Sequence, residues 1–341
     1  MPDSTKPARP PQTQLLNLLA GSWIAQGISV AATLGVADLV KDRPKTADVL
    51  ARATGTHARS LYRLMRMLAS VGVFVEDGEK RFGLTPLASC LLSDAPGSQR
   101  ALAIMLGEEH FRTWADLLYS IQTGKPAFDK VYGKPVFDYL ASTPRSAKLF
   151  DEAMVGVHGA ETAAMIDAYD FTAFGVLVDV GGGNGSLITA ILKACQSLKG
   201  VLFDQGHVIE RAKPALQASG VASRCQAIAG SFFESVPPGG DAYLMRHIIH
   251  DWDEERCALI LGNCRKVMGR HAKLLIAEMV IPPGNEPFFG KQLDLNMLVI
   301  PGGMERTEAE YRDLLGASGF RMTRVVPTRG DISIVEAVPA E

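Results

Sequence analysis

The 341-residue chain is too long for one ordinary domain and suits two. Its 35 Lys and Arg nearly balance 37 Asp and Glu, for a formal charge of −2, which excludes a global pull toward nucleic acid or an anionic membrane and leaves only local patches to weigh. No run of 18 apolar residues occurs, so no membrane span is expected, and residues 1–11 carry charges and four prolines without the apolar centre of a signal peptide.

Residues 1–13 read as a flexible tail. The apolar spacing over 14–39 is helical, 46–53 reads as a short helix, and 57–71 as another with Leu61, Leu64, Met65 and Leu68 on one face. Residues 73–75 and 81–84 form a hairpin around a turn at 76–79. Three helices followed by a hairpin is the order of a winged helix, placed at 14–105. Residues 106–170 read as a helical connector, broken near Gly124-Lys125-Pro126 and Gly133-Lys134-Pro135.

From 171 to 341 the grammar changes. Short apolar runs at 176–180, 200–203, 225–229, 242–249, 272–280, 321–326 and 332–338 alternate with helical stretches such as 186–194 and 254–268. That alternation predicts an α/β domain with a largely parallel sheet covered on both faces, and a ligand crevice at the carboxyl ends of its strands. The five cysteines, Cys90, Cys195, Cys225, Cys257 and Cys264, are scattered and contain no C-x-x-C pair, which fits a reduced, cytoplasmic protein without structural zinc.

The first run ends in Val178-Asp179-Val180-Gly181-Gly182-Gly183-Asn184-Gly185-Ser186. Glycines here let backbone approach a ligand, and the helix start that follows offers free N–H groups. Ser186 stands where a dinucleotide fingerprint needs Gly or Ala, which counts against NAD. Asp179 suits a ligand ammonium group or loop amides. Asp204, at the end of the second run, can accept both ribose hydroxyls of an adenosine, and equally suits a helix N-cap.

The most specific stretch is Arg246-His247-Ile248-Ile249-His250-Asp251-Trp252-Asp253. It ends a predicted strand, so His250 is expected to project into the crevice, while Asp253, Glu254 and Glu255 cap the next helix. With the glycine loop, with Gly230-Ser231-Phe232-Phe233-Glu234, Ala277-Glu278 and Gly302-Gly303-Met304-Glu305-Arg306-Thr307, this chain resembles the metal-independent small-molecule O-methyltransferases from about residue 14 to 337. The resemblance implies a Rossmann-like class I methyltransferase domain behind an N-terminal winged-helix dimerisation domain. It also implies a homodimer, S-adenosyl-L-methionine as cofactor with S-adenosyl-L-homocysteine as product, no metal, and a small aromatic acceptor from secondary metabolism.

By the same resemblance His250 is the general base, with Glu278 and Glu305 as flanking acids. Asp179, Gly181, Gly183, Asp204, Ser231, Phe232, Arg246 and Trp252 would hold the cofactor. Phe150, Met154, Asn296 and Met297 would line the acceptor pocket. Three positions depart from the family pattern: Ser231 replaces the commoner Asp, Arg246 stands where Lys is usual, and Met304 where Lys or Arg often precedes the glutamate. An imidazole with its ordinary pKa near ~6.5 is largely neutral at pH 7 and can take a hydroxyl proton. A carboxylate on its second nitrogen fixes the tautomer. That role falls to Glu305, with Glu278 steering the ring or the acceptor hydroxyl. The bland alternatives are a strand-end salt bridge for Glu278 and a pairing with Arg306 for Glu305. Phe150, Met154, Met297 and Met304 make a soft slot for a flat ring, or ordinary core.

Rival readings remain at this level. Arg59, Arg63 and Arg66 share one face of the third helix, the spacing of a DNA-reading helix, but Glu76, Asp77 and Glu79 put negative charge at the hairpin tip. N-methylation, or hydroxylation or decarboxylation on the same scaffold, would use the same cofactor, and the histidine favours O-methyl transfer. Neither a nucleic-acid nor a membrane partner is expected.

Overall fold

The structure is a computed structural model that describes residues 10–340. Most of the expected tail lies outside the described residues, and its last three are already helical, because Pro11 starts the helix Pro11–Leu19 where its missing N–H costs nothing. The chain forms two compact units. The first comprises residues 1–112 and 144–157, the second 113–143 and 158–341. The expected connector at 106–170 is therefore divided between them.

In the first unit the helices Gly21–Thr33, Ala47–Thr54 and Ala58–Ser70 pack with a small antiparallel sheet made of β1 (Lys45–Thr46), β2 (Phe74–Glu76) and β3 (Arg81–Leu84), in the order β1-β3-β2. The core is the one the spacing implies: Leu61, Met65 and Leu68 are buried with Leu50, Phe74 and Phe82. Arg59, Arg63 and Arg66 stay exposed on the other face. Residues 11–33 are nearly continuous helix and, by length and composition, apolar enough to cross a membrane, with only 22% buried. A strict count of consecutive apolar residues misses this, because glutamine, asparagine, glycine and serine interrupt the run without charging it. Leu15, Leu16, Leu18, Leu19 and Trp23 are exposed along it.

The second unit is built on β4 (Val176–Val180), β5 (Lys199–Asp204), β6 (Cys225–Ala229), β7 (Ala242–Arg246), β8 (Lys273–Ile281), the two-residue β9 (Arg306–Thr307), β10 (Phe320–Pro327) and β11 (Ile332–Pro339). The order is β10-β11-β8-β7-β4-β5-β6, with β9 beside β8. β4 to β8 run parallel, and β11 and β10 close the sheet as antiparallel strands, a reversal that apolar runs alone do not announce. Alternate residues enter two cores. Leu177, Leu202, Leu244 and Leu275 join one, and Val178, Tyr243, Met245, Leu274 and Ile276 the other. Both faces are covered, which is why these strands read as continuous apolar runs.

Residues 113–143 fold onto the second unit as three short helices, Leu117–Thr123, Ala127–Tyr132 and Val136–Ser142. Each Gly-Lys-Pro triplet works as a stop and a start. Gly124 and Gly133 end helices at φ +68° and +74°, a left-handed position open to glycine, and Pro126 and Pro135 open the next. Ala127, Phe128 and Val136 bury against Val299 and Ile300.

Glu336 ties the antiparallel edge together. It accepts hydrogen bonds from Tyr169 (2.6 Å), Lys273 (3.0 Å), Thr323 (2.8 Å) and Arg324 (3.0 Å). Burial alone would raise its pKa, but these four donors outweigh burial and hold it at about 2. Because the folded value lies below the unfolded one, its stabilisation is full above pH ~4.5 and is lost as pH falls toward 2. Glu336→Gln is expected to lower unfolding stability by about 1.5–3 kcal/mol at pH 7 in urea titrations. The gap to the parent should narrow below pH 4.5, and a gap independent of pH would contradict this account.

Candidate active site

The strand order reverses between β4 and β7, so a crevice opens at their carboxyl ends. The loop after β4 is tied to the end of β5. The N–H groups of Gly181 and Gly182 donate to the Phe203 carbonyl at 2.8 and 3.2 Å, and that of Gly183 donates to Asp204 Oδ2 at 2.9 Å. Gly181 and Gly183 sit at φ +72° and +58°. A Cβ on Gly181 would stand 2.5 Å from Ile248 Cδ1, so the loop closes directly on the segment that follows β7. Asp204 also accepts from Gln205 N–H at 2.6 Å. Its carboxylate serves the loop first, with lone pairs left for a ligand.

Asp179 is 1% exposed and its Oδ2 has no partner. Burial raises its pKa to about 7, opposed by the nearby Arg246 guanidinium. A buried carboxylate with one oxygen held by the Ile188 backbone and the other unpartnered, beside a glycine cradle, fits a ligand that brings a positive group. Phe232 lies beside Gly181 and packs edge-on against Phe233 and Trp252, and Phe137 covers Trp252 from another side. Phe233 and Phe137 complete an aromatic corner in which the sequence had singled out only Phe232 and Trp252. Ser231 Oγ accepts from Phe233 N–H at 3.3 Å, a local turn contact.

β7 ends at Arg246, earlier than the apolar run suggests. Its guanidinium donates to Thr162 Oγ1 at 2.7 Å and to the His158 carbonyl at 3.4 Å. The chain then turns through His247, at φ +53°, into a short 3-10 helix, Ile249–Asp251. His250 is thus carried by a turn and not by the strand. Glu278 holds that turn. Its Oε1 accepts the N–H groups of Ile248, Ile249 and His250 at 3.0, 2.7 and 3.1 Å, and its Oε2 accepts the Tyr311 hydroxyl. The expectation that Glu278 steers the imidazole or an acceptor hydroxyl is therefore corrected. Both oxygens are engaged, and it positions His250 through the backbone.

The ring itself is held by Glu305, whose Oε1 lies 2.5 Å from His250 Nδ1. The second oxygen of Glu305 is buried and unpartnered. Arg306 does not neutralise Glu305. It is fully buried and pairs with Glu254 at 2.9 Å and with the carbonyls of Ile249 and Met304. The loop is fixed at both ends of this contact, by Met304 N–H on the His250 carbonyl at 2.9 Å and by Glu305 N–H on Asp294 at 3.0 Å. Gly303 allows the approach, since a Cβ there would stand 1.9 Å from the His250 carbonyl oxygen. Asp251 completes the set, 3.5 Å from His250 Nε2.

These charges overturn the expectation of a neutral imidazole. Burial lowers the His250 pKa, but Asp251, Glu305 and Glu278 more than reverse it and lift it to about 10. Burial likewise raises Asp251, to about 6, against the pull of His250.

The acceptor-side residues are less gathered. Phe150 and Met154 are half-buried on the helix Pro144–Ala168 but belong to the first unit. Asn296 accepts from Trp114 Nε1 at 2.9 Å, and Met297 is buried on the same helix, Phe289–Val299. Three residues that no sequence motif groups, His158, Glu161 and His247, come together with possible ligand atoms within 4.8 Å of one another. They lie too far apart in the chain to form a spacing motif.

Two family descriptions match the chain, an O-methyltransferase domain over residues 114–321 and an O-methyltransferase dimerisation domain over 16–94. A phenazine O-methyltransferase of Lysobacter antibioticus is 48% identical over 97% of this chain and 97% of its own length. The crystal structure of LaPhzM superposes with a TM-score of 0.93 at 48% identity, covering 97% of this chain and all of that one. NcsB1, an O-methyltransferase from neocarzinostatin biosynthesis solved with S-adenosylmethionine and 2-hydroxy-5-methyl naphthoic acid, gives 0.82 at 33% identity, covering 92% of this chain and 95% of that one.

Two outcomes follow from the geometry. In the ligand-free protein the His250 ring should remain an imidazolium through pH 8 in an NMR titration, with a midpoint near 10 that falls in Glu305→Gln; a midpoint near 6.5 would refute the electrostatic account. Gly303→Ala should cost at least roughly tenfold in turnover, the scale on which misplaced catalytic groups act, while S-adenosylhomocysteine affinity measured by calorimetry changes less. Parent-like turnover would show that the close approach is dispensable.

Proposed function

The chain belongs to the S-adenosylmethionine-dependent O-methyltransferases, and on that footing we propose that it methylates a hydroxyl of a small aromatic acceptor with His250 as general base. The observation that carries this reading is the buried His250–Glu305 pair standing over a turn that Glu278 clamps, next to a glycine cradle beside the unpartnered Oδ2 of Asp179.

S-adenosylmethionine supplies a methyl already activated on a sulfonium, so the protein's work is alignment and proton removal. Asp179, Gly181, Gly183 and Asp204 would hold its methionyl and ribose parts, and Phe232 and Trp252 its adenine side. His250 Nε2 takes the hydroxyl proton as the new bond to oxygen forms. Glu305 keeps Nδ1–H in place and stabilises the imidazolium that results. Because the ligand-free ring carries a proton, the productive complex is the one from which that proton has already left. A positioned base of this kind contributes about 10²–10⁴-fold.

A ring nitrogen that is already unprotonated would need no base, so the intact pair favours a hydroxyl over N-methylation. It likewise favours transfer over hydroxylation or decarboxylation on this scaffold. We assign the exposed apolar stripe Leu15–Leu19 and Trp23 to a second copy of the chain, consistent with its overlap with the dimerisation match, and to neither lipid nor nucleic acid. The hairpin tip supports the latter, since it carries Glu76, Asp77 and Glu79 where a DNA wing would meet phosphate, and its Arg81 is already paired with two of them. Free cysteines, four of the five buried, suit a cytoplasmic location.

Calorimetric titration with S-adenosylhomocysteine tests the reading. We expect tight binding, retained in His250→Ala while turnover on aromatic hydroxyl acceptors is largely lost. Asp204→Ala should weaken binding at least tenfold, about 1.4 kcal/mol. Binding of NAD or duplex DNA in place of S-adenosylhomocysteine would overturn the assignment, and parent-like turnover by His250→Ala would remove the base.

A further inference from the structure

Beside the His250–Glu305 pair stands a second histidine–carboxylate pair that the reaction leaves unused. His247 Nε2 lies 3.0 Å from Glu161 Oε2, and the two side chains are only 8% and 12% exposed. The His247 ring centre is 4.9 Å from that of His250, and its plane stacks on His158 at 4.7 Å and 12°. His247 is one of two non-glycine residues with positive φ among the described residues, a conformation that surrounding contacts must enforce and that recurs at functional sites. Its Nδ1 is buried with no partner.

These facts fix what His247 can do. With Nε2–H donated to Glu161, Nδ1 is left as a hydrogen-bond acceptor, and a buried acceptor without a donor is costly until a ligand supplies one. A metal ion among His158, Glu161 and His247 is disfavoured, because Glu161 is already engaged and the Arg246 guanidinium, bonded to Thr162 and the His158 carbonyl, brings positive charge to the same place. What the position takes is a neutral donor, a hydroxyl or an amino group.

We propose that His247, fixed by Glu161, is a second recognition point for the acceptor: it accepts a hydrogen bond from a hydroxyl or amino group ortho to the oxygen that His250 deprotonates. The inference rests on the O-methyl-transfer reading above. The two oxygens of a vicinal diol on an aromatic ring stand about one hydrogen-bond length apart, ~2.8 Å, and two imidazoles with centres 4.9 Å apart can each reach one of them through a bond of similar length. A para pair overshoots this spacing. A site built to bond a particular hydroxyl discriminates strongly against the analogue that lacks it, because its own polar atom is then stranded.

The test compares naphthalene-2,3-diol with 2-naphthol, titrated into the full-length protein saturated with S-adenosylhomocysteine. The parent should bind the diol at least about tenfold more tightly. In His247→Asn, which tolerates the left-handed backbone but is too short to reach, the preference should fall to about threefold or less. Glu161→Ala, which leaves the backbone at 247 untouched, should reduce it by a smaller factor. Equal binding of the two probes by the parent, no binding of either, or a preference that survives both substitutions would overturn the proposal. Failure of S-adenosylhomocysteine itself to bind would instead overturn the cofactor reading on which it rests.

Discussion

The site depends on one buried carboxylate. Glu278 is fully buried at the end of β8 and gathers three successive backbone N–H groups and one phenol hydroxyl. Without it, the chain leaving β7 would bring three amides into the interior with nothing to bond, a penalty of about 1–3 kcal/mol for each unsatisfied group. With it, the backbone is drawn into a tight turn whose sharpness shows in the left-handed His247. That turn sets the His250 ring toward Glu305, lays Ile248 on the glycine loop and offers the His250 carbonyl to Met304. His250, the glycine cradle and the acidic loop meet because one side chain holds the backbone between them.

The electrostatics have the same origin. Glu278, Glu305, Asp251 and Asp179 are drawn into the second unit with few cations to match: Arg246 stands near Asp179, and Arg306 is spent on Glu254. The balance is met by protons. They sit on His250, whose affinity for them the carboxylates raise, and burial pushes Asp179 and Asp251 toward protonation at neutral pH. Such a site favours a cationic ligand, since a fixed positive charge can take the place of a proton.

Much of this was legible in the sequence. The strands of the second unit, the helix at 186–194, the hairpin, and the grouping of His250 with Glu305 and the glycine loop followed from apolar runs, turn residues and the family-like motifs. Three things did not. The role of Glu278 was hidden because a carboxylate that bonds backbone looks, in a sequence, like one that bonds a side chain. The His250 protonation state depends on summed charges that only the fold assembles. His158 and Glu161 sit on a helix that the chain reaches well before β7, and nothing in their spacing connects them to His247. The division of Phe150 and Met154 from Asn296 and Met297 was hidden in the same way, since a helix of 25 residues gives no sign of changing its allegiance midway.

That change of allegiance has a consequence for how the molecule can be taken apart. Neither unit is a continuous stretch of chain: the first is completed by residues 144–157 and the second already claims 113–143. During synthesis the buried core of the first unit, Ala31 to Leu91, is complete before residue 112 emerges, while the segment 144–157 that joins the unit arrives only after part of its neighbour. A cut at any single point between them strands a piece of one in the other. A chimera that grafts the catalytic unit of one such enzyme onto the amino-terminal unit of another must therefore join the parents at three crossings, near 112, 143 and 157.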